Sequence, residues 1–133
     1  MSLEKAIHER WAADQKLREW LPPDRLFTGL ASHGQIPYGT LWRRGSRTLW
    51  RTAAGDLLEE VQLALRVWHG QYDRLRALVD HLRRLLDRSS FDLDEGGRVT
   101  ALLVDRQRYR QEPEGHWQAE VEMSAQVYWP PEQ

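Results

Sequence analysis

Hydrophobic and polar positions change period at Gly70, near the middle of the chain. Before it, Val61, Leu63, Leu65 and Val67 are apolar while Glu60, Gln62 and Arg66 between them are polar, the two-residue period of a strand with one buried face. After it, Tyr72, Leu75, Leu78, Val79, Leu82, Leu85 and Leu86 recur every three or four residues, which predicts an amphipathic helix over Tyr72–Leu86. Arg76, Asp80 and Arg84 follow one another at four-residue spacing on the wet side of that helix. Each such pair is worth only about 0.2–0.5 kcal/mol, so the leucine stripe decides the element and the charges agree with it. A strand feeding into a long helix is a packing unit, because each has one apolar face to cover.

Around this unit the pattern supplies the remaining elements. Leu3, Ile7, Trp11, Leu17 and Leu21 fall on one face of a first helix over about Ser2–Trp20, with Ser2 as its cap and Pro22-Pro23 as its stop. Leu21–Gln35 reads as a loop containing a short strand at Leu26-Phe27. Ile36–Trp42 reads as a strand, and the early Pro37 places it at a strand start or a sheet edge. Arg43–Arg47 is turn-like, with Thr48–Thr52 pairing back to make a hairpin arm that carries Trp42 and Trp50; Ala53–Asp56 is a further turn. Beyond the helix come a short strand at Phe91–Leu93, a turn at Asp94–Gly97, and a β-rich stretch over Arg98–Tyr109. A turn at Glu112–Gly115 leads into the last strand, where Trp117, Ala119, Val121, Met123, Ala125, Val127 and Trp129 alternate with polar residues. Slipping that strand by one residue would bury Glu120 and Glu122, so its register is firmly set. The order predicts an α+β fold: a two-layer sandwich of a mainly antiparallel four-stranded sheet with two helices on one face, in a single domain over 1–133.

Composition narrows the function classes. With a net charge of −1 there is no global electrostatic case for binding nucleic acid or an anionic membrane. No apolar run approaches the roughly 20 residues needed to cross a bilayer. Glu4, Glu9 and Asp14 interrupt the first twenty residues, which therefore do not read as a signal peptide. The absence of cysteine excludes disulfides, thiolate catalysis and cysteine zinc sites, and fits a cytosolic setting.

Candidate chemistry is sparse. His8, His33, His69, His81 and His116 never fall at metal-ligand spacing. Asp92–Gly96 superficially resembles a calcium loop, but the position of the bidentate glutamate is Leu103 and the glycine comes one place early. No serine stands in a nucleophile elbow and no glycine-rich phosphate loop is present. Glu120 and Glu122 are close enough for acid–base work, yet their polar neighbours read as a wet face. The expectation is no catalytic residue, no cofactor and no metal. Two features stand out. The arm Trp42–Arg51 holds Trp42, Arg43, Arg44, Arg47, Trp50 and Arg51, residue types shared by protein–protein hot spots and single-strand nucleic-acid grips; a merely exposed hairpin is the third reading. Arg106, Arg108 and Arg110 form a basic ladder on one strand face, set either to pair with Glu120 or Glu122 or to meet another subunit.

The order of these features resembles the phage tail-completion proteins. The resemblance rests on the first helix, Ile36-Pro37-Tyr38 opening a strand, Val67-Trp68-His69 running into the helix Tyr72–Leu86, Phe91-Asp92-Leu93 with its following turn, and the hairpin around Asp105-Arg106 and Glu114-Gly115. It spans about Leu3–Trp129. It implies a non-enzymatic structural protein of a virion or phage-like particle, present in the host cytoplasm during assembly. Such a protein would sit at the head–tail junction as a ring of its own copies, hexameric by analogy, against head-connector or tail-tube proteins. It would have no membrane partner, and nucleic acid would enter only as DNA passing through the ring lumen. On this reading Trp42, Arg43, Arg44, Arg47, Trp50, Arg51, Arg106 and Arg108 are the candidate interface. The alternative is a small nucleic-acid-binding α+β module using the same arm.

Overall fold

The computed structural model describes residues 2–31 and 34–131, and the side chain of Ser2 lies outside that description together with His33. The helices are α1 (Ser2–Ala13), α2 (Gln15–Trp20) and α3 (Tyr72–Leu86), with a single 3₁₀ turn at Pro23–Arg25. The strands are β1 (Leu26–Thr28), β2 (Tyr38–Arg51), β3 (Leu57–His69), β4 (Ser89–Asp92), β5 (Arg98–Gln111) and β6 (Trp117–Trp129).

These strands form one sheet in the order β1-β2-β3-β6-β5-β4, with β1 parallel to β2 and every other pair antiparallel. The fold is a mixed six-stranded sheet curled into a half-barrel, and the expected four-stranded sandwich is wrong. Two causes can be named. The three-residue β1 and four-residue β4 are too short to carry an alternation of their own, and are recruited by the edges of longer strands. The four long strands also coil: the register shifts at Arg44, Leu49, Thr100 and Asp105 each insert an extra residue, and each such bulge adds right-handed twist.

The hairpin arm is also corrected. Arg43–Arg51 does not fold back on itself but continues β2, pairing with Leu57–Leu63 of β3. The bulges at Arg44 and Leu49 break the two-residue period, so a continuous strand imitates a turn in the sequence. The single first helix is in fact two, because Asp14 adopts an extended conformation and its side chain accepts a hydrogen bond from the Leu17 amide, restarting the helix.

The core follows the alternation. Val61, Leu63, Leu65 and Val67 of β3, with Val121, Met123, Ala125 and Val127 of β6, are all buried and face Leu75, Leu78, Val79 and Leu82 of α3. On the same side, α1 buries Leu3, Ile7 and Trp11, and the Trp11 indole donates to the Leu21 carbonyl at 2.9 Å. This helix bridges the two margins of the curl. Glu4 accepts from Arg43 of β2, while Lys5 reaches Asp94 just past β4 and Arg10 lies 4.3 Å over the Phe91 ring.

Candidate interaction surface

The strand positions that alternate with the core stand on the sheet face turned away from α1 and α3. Three rows cross it: Tyr38, Trp68, Gln118 and Arg110; Thr40, Arg66, Glu120 and Arg108; Trp42, Ala64, Glu122 and Arg106. Neighbouring strands thus place four guanidiniums around two carboxylates. Glu120 accepts from Arg66 at 2.9 Å and Arg108 at 3.0 Å; Glu122 accepts from Arg44 at 2.9 Å and meets Arg106 at 3.3 Å and Arg108 at 3.4 Å. The Arg66 hydrogen bond, helped by Arg108, holds the Glu120 carboxyl below its usual range. Burial pushes Glu122 the other way, but the hydrogen bonds from Arg106 and Arg44 outweigh it and this carboxyl too is lowered. Both therefore stay ionised near neutral pH, which suits a fixed lattice of ion pairs rather than proton transfer.

Aromatic side chains border the lattice. Tyr38 and Trp68 stack with centroids 4.6 Å apart, and the Arg66 guanidinium lies 5.1 Å from the Trp42 ring. With the loop Gly29–Ala31 they enclose an apolar cleft of about 450 Å³ whose rim residue Leu30 is 94% exposed. At the other end of β2, Trp50 is 46% exposed and meets Tyr128 edge-on at 6.5 Å. The Tyr128 hydroxyl donates to Asp56, which lowers the Asp56 carboxyl and raises the tyrosine.

Both margins of the sheet are only partly covered. β1 pairs with Gly39–Leu41 alone, so the outer side of β2 from 42 to 51 has no strand beside it among the described residues. β4 pairs with β5 between Arg98 and Leu102; beyond it the Val104 amide donates to Asp87 at 2.9 Å, and 105–111 has no strand beside it among the described residues. Unpaired edges of this length are templates for another chain.

The sequence-predicted residues divide between two sides of the sheet. Trp42, Arg44, Arg47, Trp50, Arg106 and Arg108 lie on the face just described, and Arg51 ends β2 in an exposed position. Arg47 pairs with Glu60 at 3.3 Å. Arg43 instead points to the helix side and binds the buried Glu4 at 3.1 Å. The basic ladder is paired, Arg106 and Arg108 with Glu120 or Glu122 and Arg110 with Glu112 at 3.0 Å. Sequence reasoning passed over Tyr38, Arg66, Trp68 and Tyr128. The signal available was register: Trp68 and Tyr128 stand at polar positions of otherwise clean alternations, where a large aromatic is out of place. Among the described residues no group of three or more His, Asp or Glu side chains is arranged to hold a metal ion, and no helix is long and apolar enough to cross a membrane.

Comparison with known proteins bears on what this surface serves. The family described as "Tail completion protein gp17" matches residues 5–128. A chain in the solved structure titled "Virion of native gene transfer agent (GTA) particle" is similar in fold, with a TM-score of 0.75 at 15% identity, over 96% of this chain and 95% of that one. No curated protein matches.

Proposed function

The chain belongs to the tail completion protein gp17 family, and so to the structural proteins of phages and phage-like particles, and from that premise we propose that it acts at the head–tail junction by assembling with its own copies into a ring. By analogy the ring is hexameric, it docks on head-connector or tail-tube proteins, and DNA passes through its lumen. The protein then works in the particle and, during assembly, in the host cytoplasm.

The observation that carries this reading is the pair of uncovered sheet margins, β2 from 42 to 51 and β5 from 105 to 111. They are different surfaces on opposite sides of one sheet. A contact joining unlike surfaces is heterologous, and heterologous contacts repeat head-to-tail into rings when the rotation closes. The lattice of Arg44, Arg66, Arg106 and Arg108 around Glu120 and Glu122 keeps the intervening face stiff, and Trp42, Arg47, Trp50 and Arg51 of β2 are the side chains offered to a neighbour.

The test is electron microscopy of the purified chain together with a joining assay of heads and tails. The Trp42→Ala/Arg47→Ala double variant should keep its fold by circular dichroism yet fail to join particles. Normal joining by a folded double variant would remove this edge from the interface.

A further inference from the structure

Registers across the whole sheet relate the two margins to each other. One row runs Trp50, Leu58, Tyr128, Arg98, Asp92, and a second runs Ser46, Val61, Ala125, Leu102, Ser89. The four residues of β4 therefore stand level with the uncovered 46–50 stretch of β2. At the other end, one row runs Leu26, Gly39, Val67, Ala119, Tyr109 and another Thr28, Leu41, Leu65, Val121, Gln107. The three residues of β1 stand level with the uncovered 107–109 stretch of β5. Each margin thus carries a short strand where the other has a gap.

We infer that successive copies meet as a lap joint without slipping along the strands: β4 of one copy lies against the uncovered part of β2 in the next, and β1 of that next copy lies against the uncovered part of β5. From the chain directions β4 and β2 would run parallel, and β1 and β5 antiparallel. Charge agrees with this pairing. The β2 side of the joint presents Arg47 and Arg51, and the β4 side presents Asp92, Asp94 and Glu95, all exposed; within one copy Arg47 also meets Glu60, Asp92 meets Arg98 and Asp94 meets Lys5, pairs that a neighbouring copy can share. Joining β2 directly to the open part of β5 instead would bring Arg44, Arg47 and Arg51 beside Arg106, Arg108 and Arg110, whose glutamate partners lie within their own copy, with Asp105 as the one acidic residue on that stretch; this is a poorer match in charge than the β4 end. The occupant of the β2 edge is therefore the acidic end of β4 in a second copy of this chain. The inference rests on the head-to-tail reading above and specifies its contact.

A charge exchange tests it on the full-length protein by native mass spectrometry over a concentration series. Arg47→Glu/Arg51→Glu makes both sides of the joint acidic, and Asp92→Lys/Asp94→Lys makes both sides basic. Each variant alone should lose assembly while keeping its fold. Mixed in equal amounts they should assemble again, alternating along the ring, because each acidic side then meets a basic one. Losses caused by intrachain changes cannot be rescued by a second copy, so the mixture separates contact from folding. If the wild type assembles and either variant assembles equally well, or the mixture shows no rescue, the lap joint is wrong and the ring reading stands. A wild-type chain that stays monomeric at every concentration overturns both.

Discussion

Arg43 separates a structural role from an assembly role, and its partner Glu4 makes the distinction measurable. The Glu4 side chain is 1% exposed; one carboxylate oxygen accepts from Arg43 Nε at 3.1 Å and the other has no partner among the described residues. The Arg43 side chain is 31% exposed and keeps access to water. Removing Arg43 as Arg43→Met strands a buried charge, which costs about 3–5 kcal/mol. Removing Glu4 as Glu4→Met leaves a cation able to hydrate and should cost about 1 kcal/mol or less. Converting both to methionine removes the charges together and should recover most of what Arg43→Met loses. With a urea slope of about 2 kcal/mol/M, Arg43→Met should move the unfolding midpoint down by about 1.5–2.5 M, and the double variant should return within about 0.5 M of wild type. Equilibrium urea denaturation followed by tryptophan fluorescence measures all three. An Arg43→Met midpoint within about 0.3 M of wild type, or a double variant weaker than Arg43→Met, would refute the account and return Arg43 to the list of intersubunit contacts.

Asp14 caps α2 and also binds His81 through both oxygens at 2.9 Å. Asp14→Ala should therefore cost about 1–2 kcal/mol, or about 3–8 °C in Tm. Burial pushes the Asp14 carboxyl up, but the Leu17 amide and His81 outweigh it and hold the group below its ordinary 3.8. A folded value below the unfolded one means that this stability is present above pH 3.8 and is lost as the pH falls through the folded value. Melting curves of wild type and Asp14→Ala should thus converge on acidification, and a gap that widens would contradict the sign. At Gly97 an added Cβ would lie 2.6 Å from the Trp129 ring, whereas at Gly45 nothing lies within 4 Å; Gly97→Ala should cost about 1–3 kcal/mol and Gly45→Ala should be far milder, and thermal melts showing equal losses would disprove the packing. Because Glu120 and Glu122 already engage Arg44, Arg66, Arg106 and Arg108, single-stranded DNA should bind weakly, with a slope of log affinity against log salt no steeper than about −2. A slope beyond about −4 in fluorescence anisotropy would favour the nucleic-acid module over the structural role.

The sequence by itself determined what depends on short-range periodicity and local chain stiffness. Val61 to Val67 and Trp117 to Trp129 were legible as half-buried strands because a one-residue slip would drive Glu60 or Glu120 into the core. The α3 helix was legible because its leucines fall on one stripe, and the resemblance to tail-completion proteins was legible in the order of these elements. Tertiary structure decided everything that depends on a partner distant in the chain. A bulged β2 imitates a turn until Leu57–Leu63 is set beside it, and β1 and β4 exist as strands only because longer neighbours offer them an edge. The curl of the sheet, the inward direction of Arg43, and the gathering of Arg44, Arg66, Arg106 and Arg108 around two glutamates arise from strand registers that span tens of residues. No local pattern encodes such a register, since it is fixed by burying many alternations at once; that global constraint is also what leaves β2 and β5 partly uncovered.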